Sequence, residues 1–194
     1  MKKVLVLALT MLLIAPATVV GQSKGENEAF NTAKLHLANR RVSDAQPILE
    51  KLVAADPENA NLNYLLGLCY VQQDINQDEA VRLLEKASKR YTKDYDAGSA
   101  TERNAPEYVY YYLLIAYSQA GNCSQSLATL NKFYSIYSYE DEYYLVDGQK
   151  WVRECNIRKK EEEEKQRQQQ EEPPALAAAE PAPQQAATPD PEPA

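Results

Sequence analysis

Histidine is almost absent from this chain, and its scarcity narrows the chemistry that the chain can perform. His36 is the single histidine among 194 residues, so neither a histidine-based metal site nor a serine–histidine dyad is easily assembled. The chain also lacks a glycine-rich phosphate loop and the two Cys–x₂–Cys spacings of a zinc ribbon. The sequence therefore predicts that the protein is not an enzyme, and we expect no cofactor, metal ion or small-molecule substrate.

Basic residues are also fewer than acidic residues. The chain has 21 Lys and Arg against 28 Asp and Glu, a net charge of −7 at pH 7. Without a basic patch, a protein has little attraction for a phosphate backbone or an anionic membrane surface. We therefore expect neither nucleic acid nor an anionic membrane surface as a partner.

Long apolar runs are missing except at the N-terminus. Two lysines precede apolar residues 4–14, and small residues follow as far as Gly21. A charged start, an apolar stretch too short to span a bilayer and small residues at its end are typical of a signal peptide. We predict a signal peptide over 1–21, cleaved after Ala17 or Gly21, and hence an exported protein without stable membrane insertion. The alternative is a buried apolar helix or an uncleaved anchor.

The C-terminal residues cannot form a core. Residues 172–194 contain seven of the eleven prolines and little that could be buried, which predicts a disordered tail of polyproline II character. The preceding residues 159–171 are polar on every side. They predict a charged helical extension, either protruding as a single helix of the kind found in coiled coils or fraying into the tail.

The middle of the chain is helical throughout. Apolar residues recur at spacings of three and four, most clearly in 43–56, 77–91 and 123–137, and each set forms a stripe on one face of a helix. Ser43 and Gln46 have the spacing of a capping box at a helix N-terminus. We therefore predict an all-α domain over residues 22–158.

The helices repeat with a period of 34 residues. One unit has the small residues Gly67 and Ala80 where two helices would approach closely, and Tyr70 and Leu84 around that contact. Matching residues occur one unit earlier and one unit later. They are Ala45, Leu49, Leu52 and Pro57 in the first unit, and Tyr117, Gly121, Leu130 and Phe133 in the third.

These spacings resemble the tetratricopeptide repeat family, with units that begin near Glu26, Ala60 and Glu107. The resemblance implies a right-handed superhelix of about three helix-turn-helix repeats. The chain departs from the family in lacking its common tryptophan and in a long loop, residues 92–104, between units two and three. A further apolar stripe then predicts a long C-terminal helix that caps the array. It consists of Tyr144, Gly148, Trp151, Val152 and Cys155.

Three cysteines in an exported chain suggest one disulfide and one spare thiol. Cys123 would begin the second helix of unit three, and Cys155 lies within the capping helix. Both are about the same number of residues from the turn near 138–141, so in antiparallel helices they should lie at the same height. We predict a Cys123–Cys155 disulfide, and pairs of this kind also recur in exported members of the resembled family. Cys69 is expected to be a small buried residue.

The resemblance also implies a binding surface, because first helices of successive units line a concave groove in this family. The groove would hold an extended peptide or a partner helix, and tyrosines and asparagines suit an apolar or proline-bearing segment. The alternative is that these rings only fill a groove closed by neighbouring helices. The positions, unit by unit, are Asn27, Phe30, Asn31, Lys34, Asn61, Tyr64, Leu68, Gln72, Tyr108, Tyr111, Tyr112, Ile115 and Gln119.

Two functions are consistent with these features. The first is a non-catalytic scaffold that binds a protein or peptide partner in the bacterial periplasm, or at the periplasmic face of the outer membrane. The signal sequence, three repeats and capping helix are similar to the repeat portion of Gram-negative envelope proteins. The second is a structural tether that uses the C-terminal helix and the proline-rich tail.

Overall fold

Helical hairpins follow one another along the chain in the computed structural model of the protein, which describes residues 24–137 and 142–171. The predicted signal peptide, the turn near 138–141 and the tail 172–194 lie outside the described residues. Three-residue turns join the helices of each hairpin. The helices are α1 (Lys24–Ala38), α2 (Val42–Ala55), α3 (Ala60–Gln73), α4 (Gln77–Ser88), α5 (Val109–Gln119), α6 (Cys123–Ile136) and α7 (Tyr143–Glu171).

The three hairpins correspond to the three predicted units. Each second helix contacts the first helix of the next unit, and α3, α5 and α7 also contact one another in series. Their apolar faces form one continuous core. The described residues therefore confirm an all-α array of tetratricopeptide type, with about three repeats and a long C-terminal helix.

The small residues of the repeat are needed for close packing, as the sequence predicts. A Cβ atom built on Gly67 would lie 2.6 Å from Cγ of Leu84, far inside van der Waals contact. Ala80 is fully buried beside them in the core. Helices α3 and α4 thus approach each other at Gly67, and Leu84 fills the space that a side chain would occupy.

Helix α7 caps the array through a second close approach. A Cβ on Gly148 would lie 2.8 Å from Cδ1 of Leu130 on α6, and Val152 is buried in the core. Cys155 is joined to Cys123 in a disulfide, with Cα atoms 5.6 Å apart, which is the predicted pair. Cys69 is buried and unpaired.

A pair of two-residue strands interrupts the otherwise helical chain between units two and three. Strand β1 (Tyr91–Thr92) pairs in parallel with β2 (Ala105–Pro106), in the register Tyr91 to Ala105. The pairing of β1 with β2 closes the base of the segment 93–104, which we call the strap loop. The sequence predicts a loop here but gives no sign of these strands or of where the loop runs.

One local prediction is wrong. Helix α2 begins at Val42 with Arg41 at its N-cap, and no side chain caps it. Ser43 therefore lies inside the helix, and the amide of Gln46 donates to Glu50 Oε1 at 2.8 Å instead of reaching back to the helix start. The capping-box spacing is present, but the helix starts too early to use it.

Candidate partner-binding groove

The strap loop folds over the N-terminal end of the concave face. The Tyr95 hydroxyl donates to Oδ1 of Asn61 at 2.7 Å, and the Asn61 amide nitrogen donates to the Glu102 carbonyl at 3.4 Å. Asn61 is one of the predicted groove positions, and it is buried. The Asn61 side-chain amide therefore already forms hydrogen bonds with the strap loop, of the kind that it would form with a bound peptide.

An ion pair fixes the C-terminal end of the strap loop. The guanidinium of Arg103 donates to both carboxylate oxygens of Asp56, at 2.5 and 3.0 Å. The Ala60 amide nitrogen also donates to the Arg103 carbonyl at 3.0 Å. Burial would raise the pKa of Asp56, but the hydrogen bonds and charge of Arg103 outweigh it and lower that pKa. The loop is thus tied to the junction between units one and two.

The predicted groove positions on α1 do not form one surface. Phe30 is buried in the core, whereas Asn31 is exposed. Asn27 is half-buried, and its Oδ1 has no hydrogen-bond partner among the described residues. Burial lowers the pKa of Lys34, and the charge of Asp96 in the strap loop partly opposes that shift. Lys34 itself is half-buried.

An open cleft remains at the C-terminal end of the concave face, between α3, α5 and α7. Its volume is about 640 Å³. Five predicted groove positions line it, and α7 supplies a second wall that the resemblance did not include. The lining residues are Val71, Gln72, Asp74, Tyr111, Tyr112, Ile115, Gln119, Tyr143, Tyr144, Asp147 and Trp151.

Asp147 organises the wall between α5 and α7. Its Oδ2 atom accepts hydrogen bonds from the Tyr111 hydroxyl at 2.6 Å and from the Trp151 indole at 3.0 Å. Burial raises the pKa of Tyr111, and its hydrogen bond to Asp147 raises that pKa further. The phenol thus stays protonated and keeps donating well above neutral pH. One carboxylate therefore fixes two aromatic side chains of the cleft.

The tyrosine rings pack edge-to-face on one another. Ring centroids are 4.9 Å apart for Tyr111 and Tyr144, 5.1 Å for Tyr111 and Tyr112, and 5.9 Å for Tyr64 and Tyr112. Tyr108 joins the cluster through Tyr144 at 4.9 Å. Such pairs hold each other in place, so a ligand would meet rings that are already ordered.

The residues of the cleft differ from one another in how exposed they are. Gln72 is exposed at the rim, and Tyr143 is 62% exposed. Leu68 and Ile115 are buried under the rings. The Gln119 side-chain amide donates to the Val71 carbonyl at 3.0 Å, which fixes its orientation. A partner would therefore contact mainly the rim residues and the faces of the half-buried tyrosines.

Tyr110 and Tyr117 are half-buried and do not line the cleft. The Tyr110 hydroxyl donates to the Ser88 carbonyl at 3.1 Å, and the Tyr117 hydroxyl donates to Glu85 Oε1 at 2.5 Å. Both therefore join unit three to α4 and take no part in the cleft.

The sequence missed the contribution of α7 to this site. The sequence places Tyr144 and Trp151 only in the apolar stripe that caps the array, and it predicts no role for Tyr143 or Asp147. The available signal was the helical spacing itself, since residues 143, 144, 147 and 151 recur at steps of three and four and must share one face of a helix. No such helical spacing marks Tyr95, which lies in the strap loop at the other end of the concave face.

Within residues 24–137 and 142–171, no group of three or more His, Cys, Asp or Glu side chains could hold a metal ion. In the same part of the chain, no helix is both long and apolar enough to cross a membrane.

Comparison with known proteins agrees with the architecture. A family model described as Tetratricopeptide repeat matches residues 36–103, from the end of α1 to the end of the strap loop. The match covers about a third of the chain, and with the helical-hairpin array it agrees with a tetratricopeptide-like fold. Repeats of that family generally mediate protein–protein interaction and are typically not enzymes. No curated protein and no solved structure gave a match.

Proposed function

We propose that this protein is a non-catalytic scaffold of the bacterial periplasm or cell envelope, and that the α3–α5–α7 cleft binds an extended segment of a partner protein. The observation that carries the proposal is the open aromatic cleft of about 640 Å³. The strap loop occupies the other end of the concave face, so the cleft is where that face remains accessible.

The chemistry of the cleft favours an apolar or proline-bearing segment. Tyrosine rings offer a large contact area at a low entropic cost, since each has few rotatable bonds and here is already held by its neighbours. A preformed polyproline II segment stacks well on such rings. Asp74 and Asp147 are the charged residues of the lining, which disfavours an acidic segment and favours a neutral or basic one.

The proposed location rests on two features of the chain. The first is the signal-peptide pattern of residues 1–21. The second is the Cys123–Cys155 pair, because disulfides persist mainly in oxidising compartments such as the periplasm. Cell fractionation, with mass measurement of the mature N-terminus, tests this location. A chain that keeps residue 1 and remains with the cytoplasmic fraction would contradict it.

Crosslinking in intact cells, followed by recovery of the tagged protein, tests the groove. Tyr111 is a poor site for substitution because it is buried, so the variants should change the rim: Tyr143→Ala and Gln72→Ala together. Tyr134→Ala is the matched control, because Tyr134 is 38% exposed on α6 and does not line the cleft. We expect partners to be lost from the double variant alone, and undiminished recovery would refute groove binding.

A tether is the second candidate function. Residues 159–170 of α7 are exposed along their length, and the stretch 159–171 would extend about 20 Å at 1.5 Å per residue. A further 23 residues of polyproline type could reach roughly 70 Å. Truncation after residue 171 separates the two functions. Loss of correct localisation with retained partner binding would favour the tether, whereas unchanged localisation would count against it.

A further inference from the structure

Helix α7 carries a row of exposed residues along one face. Tyr143, Val146 and Ile157 are 62%, 60% and 49% exposed, and Lys150 and Arg153 lie between them and are also exposed. The five residues follow one another at steps of three and four, so they share one face of the helix. We call them the α7 outer face. Exposed apolar residues that lie together in this way often mark an interaction surface.

A hollow of about 400 Å³ follows the first half of the α7 outer face. Every outer-face residue except Ile157 lines it. The lining also includes the acidic residues Glu142 and Asp147, but Oδ2 of Asp147 already accepts hydrogen bonds from Tyr111 and Trp151. The hollow therefore combines apolar side chains with two cations that are open to solvent.

The two cations of the outer face favour an acidic partner. Within residues 24–137 and 142–171, the Arg153 side chain makes no hydrogen bond or ion pair. Lys150 Nζ lies 3.9 Å from Glu154 Oε1, and an exposed pair of that length contributes little. A second copy fits this face poorly, because pairing the face with itself would bring Lys150 against Lys150. The complementary partner is both apolar and acidic.

Residues 172–194 of the same chain have this chemistry. They contain four acidic residues, no basic residue and seven of the eleven prolines. Proline-rich segments pack well on tyrosine rings, and a polyproline II chain is already extended. The same acidic charge makes this segment a poor ligand for the α3–α5–α7 cleft, whose lining includes Asp74 and Asp147. Its charge thus fits the outer face better than the cleft.

This segment is long enough to fold back over the hollow. Helix α7 has 29 residues, so its two ends lie about 42 Å apart at 1.5 Å per residue. A polyproline-type chain covers that distance in about 14 residues at about 3.1 Å each. Counted in this way from residue 171, Glu180 comes level with Arg153, and Pro183 comes level with Val146.

We propose that residues 180–186 lie along the α7 outer face of the same chain, antiparallel to the helix. The Glu180 carboxylate lies between the two basic side chains, and Pro181 and Pro183 pack on the apolar side chains at the start of α7. This contact does not rest on the proposed function. It places the tail at the rim of the aromatic cleft, because Tyr143 lines both the hollow and the cleft. A tail held there is not available as an extended tether.

A nitroxide spin label in the full chain tests the contact. Ala186→Cys supplies a thiol for the label, and the chain's own cysteines do not compete because they are buried or joined in the disulfide. We expect the NMR amide signals of Tyr143 and Val146 to broaden, and to recover when ascorbate reduces the nitroxide. A tail that stayed free of α7 would hold the label on average about 22 Å from the end of the helix, whereas Val146 lies about 38 Å from that end. Unbroadened signals at both residues would overturn the proposal.

Charge reversal makes the test specific. Lys150→Glu with Arg153→Glu should abolish the broadening in the labelled chain. The matched pair Arg40→Glu with Lys51→Glu, at exposed residues of the first unit, should leave it unchanged. Adding Glu180→Lys to the reversed pair on α7 should restore the broadening, because the attraction is re-formed with the charges exchanged. Broadening that survives the reversal on α7, or that is lost equally in the control pair, would refute the assigned contact.

A mixed sample separates the chain's own tail from the tail of a second copy. Isotope-labelled protein without the nitroxide is mixed with nitroxide-labelled protein that carries no isotope label. We expect no broadening of the isotope-labelled signals, since the contact lies within one chain. Broadening of Tyr143 and Val146 in the mixture would overturn the proposal and assign the outer face to the tail of a second copy.

Discussion

Asp147 holds the capping helix to the third repeat, and its removal should be costly. The Tyr111 hydroxyl on α5 and the Trp151 indole on α7 both donate to the same carboxylate oxygen, at 2.6 and 3.0 Å. Asp147→Ala removes this acceptor. It leaves the Tyr111 hydroxyl, on a side chain that is 6% exposed, without its partner at the junction of the two helices.

The expected loss of unfolding free energy follows from these two hydrogen bonds. A hydrogen bond to a charged group contributes about 1.5–3 kcal/mol, and a buried donor left unsatisfied costs about 1–3 kcal/mol. Both helices can relax, so we expect Asp147→Ala to lower the free energy of unfolding by about 3 kcal/mol. Asp147→Asn retains a carbonyl acceptor and loses only the charge, which should cost about 1 kcal/mol.

Urea denaturation measures this loss directly. Trp151 is the single tryptophan of the chain, so its fluorescence reports on the environment of Asp147, while far-ultraviolet circular dichroism follows the whole array. Glu154→Ala is the matched control on the same helix. Its partly exposed ion pair with Lys150, at 3.9 Å, should contribute less than about 0.5 kcal/mol.

The reasoning would be refuted if Asp147→Ala were as stable as the Glu154→Ala control. A normal denaturation midpoint, with Trp151 emission unchanged, would show that the helices are held by apolar packing alone. The aromatic cleft would then not depend on the shared carboxylate.

Three further predictions concern packing, the disulfide and alkaline pH. Gly67→Ala forces a Cβ to 2.6 Å from a Leu84 side-chain carbon and should lower the free energy of unfolding by about 1–3 kcal/mol, as urea denaturation would measure. Cys155→Ala opens a loop of 32 residues and should cost about 3–4 kcal/mol, measured in the same way without reductant. Burial raises the pKa of Tyr112 to about 12. Its stabilising contribution is therefore complete below pH 10 and lost as the pH rises through 12, which absorbance at 295 nm and unfolding measurements can follow together.

Each of these predictions has a control. Gly25→Ala, where nothing lies within 4 Å, should be neutral or slightly stabilising, and an equal effect at both glycines would contradict the packing argument. Wild-type protein with reductant should resemble Cys155→Ala; if reductant changes nothing, the disulfide contributes no stability. A Tyr112→Phe variant should lose one late-titrating phenol, and an unchanged titration curve would mean that Tyr112 ionises normally.

The helices and their pairing could be predicted because the signals are local. Apolar spacing fixes which face of each helix is buried, and the small residues at Gly67 and Ala80 fix where α3 and α4 meet. The disulfide followed from counting residues along two antiparallel helices. These inferences need only the geometry of a helix and the order of the units.

The extent of the cleft could not be predicted in the same way. The strap loop has no apolar periodicity, so nothing in the sequence joins Tyr95 to Asn61, 34 positions earlier. The side of α7 that faces α5 depends on how closely Gly148 approaches Leu130. That contact sets the rotation of α7 about its axis, and so places Asp147 beside Tyr111.

The sequence by itself thus determined a repeated helical hairpin, its capping helix and the cysteine pair that joins them, because period and spacing act over a few turns. Only the tertiary structure decided which part of the concave face stays open. That depends on hydrogen bonds between residues far apart in the chain: the strap loop binds Asn61 and closes one end, whereas Asp147 orients the rings that line the other.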